Sequence, residues 1–256
     1  MPASYAHYRF GKHLLPELPA DKRQCVQRFR RMVDVGLHGP DLFFYHIPFP
    51  KTKREQPGKQ FHGLSGREIF TKACAAADSE ASQAYLYGLL AHYCLDIACH
   101  PYIQQLQEKG TADHIRLEAE FDRYLMALDG ITEPHRHDMT RHLKLTRGEC
   151  MTVSAFYPGM DGAYVSRSLW CMAAALRFLA GENRKKREKL LKKIRPVFCD
   201  FFIPRSPVDD WLRLDSELLA RFSRARMQYP ILLEQLDHHI RTGEPLGEDF
   251  SPTFGG

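Results

Sequence analysis

The sequence predicts an all-α fold, built as a single multi-helix domain with a helical C-terminal extension. Apolar residues recur every three to four positions along most of the 256-residue chain, which is the spacing of a buried helix face. Strand-like alternation is scarce, and the clearest short apolar run covers only residues 41–45. A chain of this length can bury a core large enough for one domain.

Helix boundaries follow from this periodicity and from capping residues. Ser65 and Glu68 form an S-x-x-E capping box, which predicts a helix start. Asp113 suits an N-cap because its carboxylate can accept hydrogen bonds from free backbone amides, and Gly130 suits the end of the helix that follows. The predicted helices cover residues 4–15, 21–36, 65–78, 80–106, 113–128, 134–144, 162–182, 184–201 and 208–241.

Two segments lack the helical pattern. Residues 47–63 contain three prolines and four cations and predict a loop, and a loop of this length is usually functional or disordered. The Gly/Pro-rich residues 243–256 predict a flexible tail. We therefore divide the chain into a metal-binding helical core at residues 1–128, C-terminal helices packed on it at residues 129–242, and this tail.

Composition and charge exclude some classes of protein but select no function. The chain is 44% hydrophobic and 26% charged, and no run reaches the 18 apolar residues of a membrane span. Its start lacks a signal-peptide core, and its seven cysteines are scattered without CxxC pairs. We therefore expect a cytoplasmic protein with reduced thiols and no transmembrane segment. The net charge of +5 favours anionic partners in general.

The most informative pattern is a series of potential metal ligands on two predicted helices. His92, Asp96 and His100 are spaced four residues apart, and His114 and Glu118 repeat this spacing. Residues four apart lie on the same face of a helix. Zinc binds imidazole nitrogen and carboxylate oxygen, usually four ligands at a time. The pattern therefore predicts a metal site with more ligands than one ion needs.

Pro101 bears on how this series divides. A proline disfavours the helical conformation of the residue before it and clashes with the carbonyl four residues back. We expect the helix to kink or end at His100, which would let this residue serve a second ion. The main alternative is metal-free, because Asp96 lies in the apolar run of residues 89–98 and needs a partner that His92 could supply.

Three upstream residues are weaker candidates when each is taken alone. Asp41 follows a Gly-Pro turn, where an ordinary turn aspartate is the commoner interpretation. His62 lies in the basic loop, where solvated histidines are common, and His7 could be a surface histidine of the first helix.

The order of these candidates along the chain is similar to that of a known family. Their order and the two four-residue pairs resemble those of zinc-dependent phospholipase C, which shares its helical fold with fungal zinc-dependent single-strand nucleases. The resemblance ends near residue 125, and residues 1–8 and 39–45 also look like small bacterial members without a signal peptide. The matching residues are His7, Asp41, His62, His92, Asp96, His100, His114 and Glu118.

The resemblance implies a cofactor of two zinc ions, or three, and assigns their ligands. One zinc would be held by Asp41, His62, His92 and Asp96. The second would be held by His100, His114 and Glu118. A third would be held by His7, Asp96 and the N-terminal amine. The secreted enzymes supply a tryptophan amine there, whereas this chain begins Met1-Pro2, so we expect the Pro2 amine to replace it after methionine removal.

The implied activity is that of a zinc-dependent phosphodiester hydrolase. Two ions about 3.5–4 Å apart share a bridging hydroxide that attacks phosphorus, and Asp41 is the candidate catalytic residue that assists proton removal. The alternatives are a zinc-dependent nuclease and a non-catalytic helical binding protein that retains the metal cage. The expected partner is a phosphodiester-containing small molecule or a phospholipid. The basic run at residues 183–195 could contact an anionic membrane or nucleic acid, although a solvated helix face is commoner.

Overall fold

The all-α prediction is confirmed. The computed structural model describes residues 4–46, 57–111, 113–181, 184–194, 196–208 and 211–255, and within these ranges it contains helices and one isolated β-bridge but no strand. The α-helices are α1 (Ser4–Leu14), α2 (Ala20–Arg28), α3 (Arg30–Gly36), α4 (Pro57–His62), α5 (Gly66–Ala76), α6 (Glu80–Glu108), α7 (His114–Leu128), α8 (Arg147–Ser154), α9 (Gly162–Leu179), α10 (Arg184–Ile194) and α11 (Leu212–Thr242).

The 29-residue helix α6 is the centre of the fold. Residues 84–96 in its middle are all buried and mostly apolar, so every face of this part packs against a neighbour. Gly36 of α3 and Gly88 of α6 allow the closest of these contacts, because a Cβ on Gly88 would lie 2.4 Å from the Val33 carbonyl oxygen. The helices that pack on α6 are α1, α2, α3, α5, α7, α8 and α11.

The predicted caps are found at two of three positions. Ser65 and Glu68 form the capping box of α5. Gly130, at φ 78°, ends α7 by donating to the Ala127 carbonyl at 3.0 Å, while Ile131 donates to the Met126 carbonyl at 2.9 Å. Asp113 occupies the N-cap position of α7, but its side chain makes no capping hydrogen bond within the described residues.

One predicted helix is wrong and two short helices, α4 and α8, were missed. Helix α4 lies in the segment predicted as a loop, and residues 47–56 of that segment lie outside the described residues. Residues 134–144 form only a short 3₁₀ turn at Pro134–Arg136 followed by turns. The Asp138 carboxylate accepts from the Thr140 amide at 2.9 Å and from its hydroxyl at 2.6 Å, and such local bonds compete with a helix. The helix that does form is α8, which begins at a capping box of Thr146 and Glu149.

Two other predicted helices are shorter than expected. The predicted helix at residues 21–36 is broken at Phe29, whose backbone has φ −110° and ψ 39°, so α2 and α3 are separate. The predicted helix at residues 184–201 ends at Ile194 and is followed by a 3₁₀ turn at Pro196–Phe201. Proline cannot donate the backbone hydrogen bond that would continue an α-helix.

We expected α6 to kink or end at His100, and it does not end there. The helix continues through Pro101 to Glu108. Ile103 and Leu106 are buried in the core, and this packing favours a continued helix despite the local cost of proline.

The C-terminal residues pack on the core where we expected a flexible tail. We call residues 246–255 the C-terminal strap. Its apolar side chains Leu246, Phe250 and Phe254 are buried, and the last two are fully so. The Tyr93 hydroxyl donates to two strap carbonyls, those of Asp249 and Pro252, each at 3.1 Å. Burial of aromatic side chains therefore holds this Gly/Pro-rich segment in place.

Candidate metal centre

The candidate ligands meet at one face of α6. His92, Asp96 and His100 project from successive turns of this helix, and all three are buried. The chain after α3 brings Asp41 to the same place through a 3₁₀ turn at Gly39–Tyr45. Gly39 has φ +45°, and a Cβ there would lie 2.8 Å from the His92 ring, so glycine lets the turn approach α6.

Asp96 lies at the centre of the cluster. Four imidazole nitrogens lie within 4 Å of its two carboxylate oxygens, and they come from α1, α4 and two turns of α6. The Nε2 atoms are those of His92 at 3.0 Å, His7 at 3.3 Å, His100 at 3.7 Å and His62 at 3.9 Å. Asp96 is therefore the carboxylate that connects the parts of the site.

The inner group consists of His62, His92 and Asp96, with Asp41 beside them. The first three offer ligand atoms within 4.8 Å of one another. The Asp41 carboxylate lies 2.9 Å from His62 Nε2. Asp41 and His92 form a second, overlapping group with His7, whose ring stacks on that of His92 with centroids 4.2 Å apart.

The outer group consists of His100, His114 and Glu118. Glu118 Oε1 lies 3.0 Å from His114 Nε2 and 3.5 Å from His100 Nε2. The Glu118 side chain is buried, whereas that of His114 is 31% exposed. This side of the cluster therefore has contact with solvent.

Backbone carbonyls orient three of the imidazoles. Each ring directs Nδ1 to a carbonyl oxygen, and because a carbonyl can only accept, Nδ1 carries the proton. Each Nε2 is then left free to face the cluster, as in the outer shells of histidine metal sites. The pairs are His92 with Leu37 at 3.1 Å, His62 with Gly58 at 2.8 Å and His100 with Phe254 at 2.5 Å.

Two atoms at the centre test whether a metal fits these residues. His92 Nε2 and Asp96 Oδ2 are 3.0 Å apart and buried, yet neither has a hydrogen-bond partner. Because His92 Nδ1 donates to the Leu37 carbonyl, Nε2 carries a lone pair, and two acceptor atoms lie side by side. Buried polar atoms are almost always bonded to something. Two acceptor atoms this close to each other fit a shared cation, and imidazole with carboxylate suits zinc.

Charges within the cluster shift its pKa values strongly. Burial alone would raise the pKa of Asp96, but the imidazoles of His92 and His100 hold it well below its usual range. Burial alone would lower the pKa of His100, but the carboxylates of Asp96 and Glu118 raise it to about 9. Protons therefore compete with a metal ion for these ligands.

A buried aspartate outside the ligand set anchors the helix that carries His7. The Asp122 carboxylate accepts hydrogen bonds from the Tyr5 and Ala6 amides of α1 at 3.1 and 2.8 Å. It therefore caps α1 from α7, next to His7. Burial raises the pKa of this carboxyl group well above its usual value.

The structure brings all eight predicted side chains together, in three groups of which two share His92. The predicted ligand Pro2 lies outside the described residues. Sequence analysis missed Asp122, although its position four residues after Glu118 was a readable signal. It also missed the three orienting carbonyls, for which the sequence carries no signal because every residue has a carbonyl.

Fold and site together define an all-helical protein with clustered candidate metal ligands. A family model described as zinc dependent phospholipase C matches residues 6–168, which is more than half of the chain and includes all eight side chains. The chain belongs to this family, which is a family of hydrolases. The match reaches into α9, well beyond residue 125, where we expected the resemblance to end. No curated protein and no solved structure matches the chain significantly.

Proposed function

We propose that the protein is a zinc-dependent phosphodiester hydrolase of the phospholipase C type. The observation that carries this proposal is the arrangement of imidazoles from α1, α4 and α6 around the single carboxylate of Asp96 in a member of this family. Zinc sites of this kind need at least three protein ligands for each ion, and the inner and outer groups each supply that number.

We assign one zinc ion to each group. The inner ion is held by Asp41, His62, His92 and Asp96. The outer ion is held by His100, His114 and Glu118. A third ion, held by His7, Asp96 and the Pro2 amine, requires removal of Met1, and intact Met1 in a mass spectrum of the purified protein would argue against it. Two Zn²⁺ ions against three carboxylates leave a charge of about +1, which suits an anionic phosphodiester.

The chain's own residues position the reactants and handle the proton. When bound, zinc ions lower the pKa of water and polarise phosphoryl oxygens. Asp41 lies 2.9 Å from His62 Nε2, at the edge of the inner group, so its carboxylate is placed to accept a proton from the attacking water. Burial of Asp96 and Glu118 keeps bulk water away from the carboxylates, which strengthens their interaction with cations.

We propose a phospholipid, or a small phosphodiester that resembles its head group, as the substrate. Helix α10 exposes five lysines and Leu190 to solvent, a combination suited to contact with an anionic membrane surface. The exposed lysines are Lys185, Lys186, Lys189, Lys192 and Lys193. No helix in the described ranges has the length and apolar character to cross a membrane. We propose the cytoplasm as the location because all seven cysteines are free.

Metal analysis and turnover test the proposal together. We expect about two zinc ions per chain and hydrolysis of a chromogenic phosphodiester. Glu118→Gln should reduce this hydrolysis, whereas Glu234→Gln, a control at an exposed position of α11, should leave it unchanged. Less than one zinc per chain in the purified protein would contradict the proposal. Zinc binding without turnover would favour the non-catalytic binding protein. Release of phosphocholine from phosphatidylcholine vesicles, compared with cleavage of single-stranded DNA, separates the phospholipase from the nuclease.

A further inference from the structure

We propose that the C-terminal strap is a positioning element of the metal centre, which orients His100 and closes the cluster beside His62. The strap lies outside the segment that the family model matches. The inference rests on the proposed function, because it concerns how the ligands are held for zinc.

The carbonyl of Phe254 determines how the His100 ring is turned. It accepts a hydrogen bond from His100 Nδ1 at 2.5 Å. The opposite nitrogen, Nε2, then lies 3.5 Å from Glu118 Oε1 and 3.7 Å from Asp96 Oδ1. Without this acceptor the imidazole could rotate or protonate Nε2, and either change would remove a ligand atom from the outer group.

The other two oriented imidazoles depend on segments inside the matched family region. His62 uses the carbonyl of Gly58, four residues earlier in α4, and His92 uses that of Leu37, at the end of α3. For His100 the acceptor is 154 residues away in the sequence. The strap therefore supplies for the outer group, from outside the matched region, the kind of acceptor that Gly58 and Leu37 supply for the inner group.

Backbone hydrogen bonds hold the strap beside the cluster of candidate ligands. The Gly66 amide donates to the Pro252 carbonyl at 2.9 Å, next to the antiparallel bridge between Ser65 and Thr253. The Gly255 amide donates to the carbonyl of His62 at 3.2 Å. The strap is thus held both before and after Phe254, and the contact after Phe254 is made to His62, a candidate ligand.

The ring of Phe254 covers the inner group on this side. It is fully buried, and its centroid lies 5.7 Å from the His92 ring and 6.0 Å from the His62 ring. An apolar ring at this place excludes water from the imidazoles and limits their motion. Phe250 is also fully buried in the strap, but its described ring contacts are with Phe70 and Tyr93, away from the candidate ligands.

The pair of phenylalanines provides a matched test, together with a chain that ends at Pro252. Phe254→Ala and Phe250→Ala lose rings of the same size and burial, whereas the shortened chain also loses the carbonyl that bonds His100. Zinc content per chain and zinc affinity, measured by competition with a chelator, are the readouts. Helix content and thermal unfolding of the metal-free proteins show whether each variant folds.

We expect the shortened chain to bind the more weakly held zinc ion about 10–100-fold less tightly, as for loss of an outer-shell partner. The loss of zinc affinity should be smaller in Phe254→Ala, and Phe250→Ala should change the affinity little. Two results would overturn the inference. One is unchanged affinity in a shortened chain that still folds, and the other is equal loss of zinc in the two alanine variants. If the unaltered protein binds no zinc, the proposed function itself fails, which is a different outcome.

Discussion

The inner and outer groups of the metal centre use the same donor types but are supported differently. In the inner group, His92 and Asp96 are fully or almost fully buried, and the orienting carbonyls of Gly58 and Leu37 lie within the matched family region. In the outer group, His114 is partly exposed, and His100 is oriented by the C-terminal strap. We therefore expect the outer group to bind metal more weakly, because one of its imidazoles is partly exposed and another is oriented by the C-terminal strap.

The largest expected effect comes from removing the residue that joins both groups. Asp96→Ala removes a carboxylate ligand of the inner ion that also lies 3.7 Å from His100 Nε2, so the inner ion should be lost and the outer ion should bind more weakly. Zinc content should fall below one ion per chain and turnover should fall more than about 100-fold, beyond the loss expected for an outer-shell residue. Retention of one full zinc would show that the two groups are independent.

A change confined to the outer group should separate the two sites. Glu118→Gln keeps the size of the side chain but removes the charge that faces His100 and His114. We expect zinc content to fall from about two ions per chain to about one, with loss of turnover, since two ions are needed to clamp a phosphodiester. Metal analysis after dialysis checks this, and loss of both ions would contradict a separate inner site.

The third effect concerns the anchoring of α1 from α7. Asp122→Ala leaves the Tyr5 and Ala6 amides without their acceptor and should destabilise the fold by about 1–2 kcal/mol, as for loss of an N-cap. Urea unfolding measures the loss. Because His7 follows these amides, zinc affinity should fall as well. A stability loss with unchanged zinc affinity would show that α1 contributes little to the centre.

The smallest effect is a dependence of stability on pH at the contact between α7 and α11. Burial, and then the charge of Glu120, raises the pKa of Asp215 to about 7, although Arg123 opposes this. Between pH 4 and 7 the folded protein therefore holds a proton that the unfolded chain releases, and stability falls as the pH rises.

Asp215→Asn removes this penalty without changing the size of the side chain. In the presence of a chelator, we expect it to unfold at a higher temperature than the original chain at pH 7.5 and at nearly the same temperature at pH 4. Glu234→Gln, a change at an exposed position of the same helix, should alter neither unfolding temperature. If Asp215→Asn raised the unfolding temperature by the same amount at pH 4, the increase would have to come from packing instead of titration.

Local patterns predicted the parts of the fold that depend on neighbours in sequence. The capping box of Ser65 and Glu68 is present, and the helices that carry the four-residue pairs occur close to their predicted positions. The errors occur where local and distant contacts compete. Pro101 alone argues for a helix end, but burial of Ile103 and Leu106 continues α6. In the same way, aromatic burial holds the strap, although its glycines and prolines alone argue for flexibility.

The sequence by itself determined the donor types and their placement on two helix faces, because residues four apart share a face whatever surrounds the helix. Only the tertiary structure decided that His7, Asp41 and His62 join them, since these residues reach α6 from three other elements of the fold. The tertiary structure also decided which backbone carbonyls orient the imidazole rings. The carbonyl of Phe254 is chemically the same as any other, and only the packing of the strap places it beside His100.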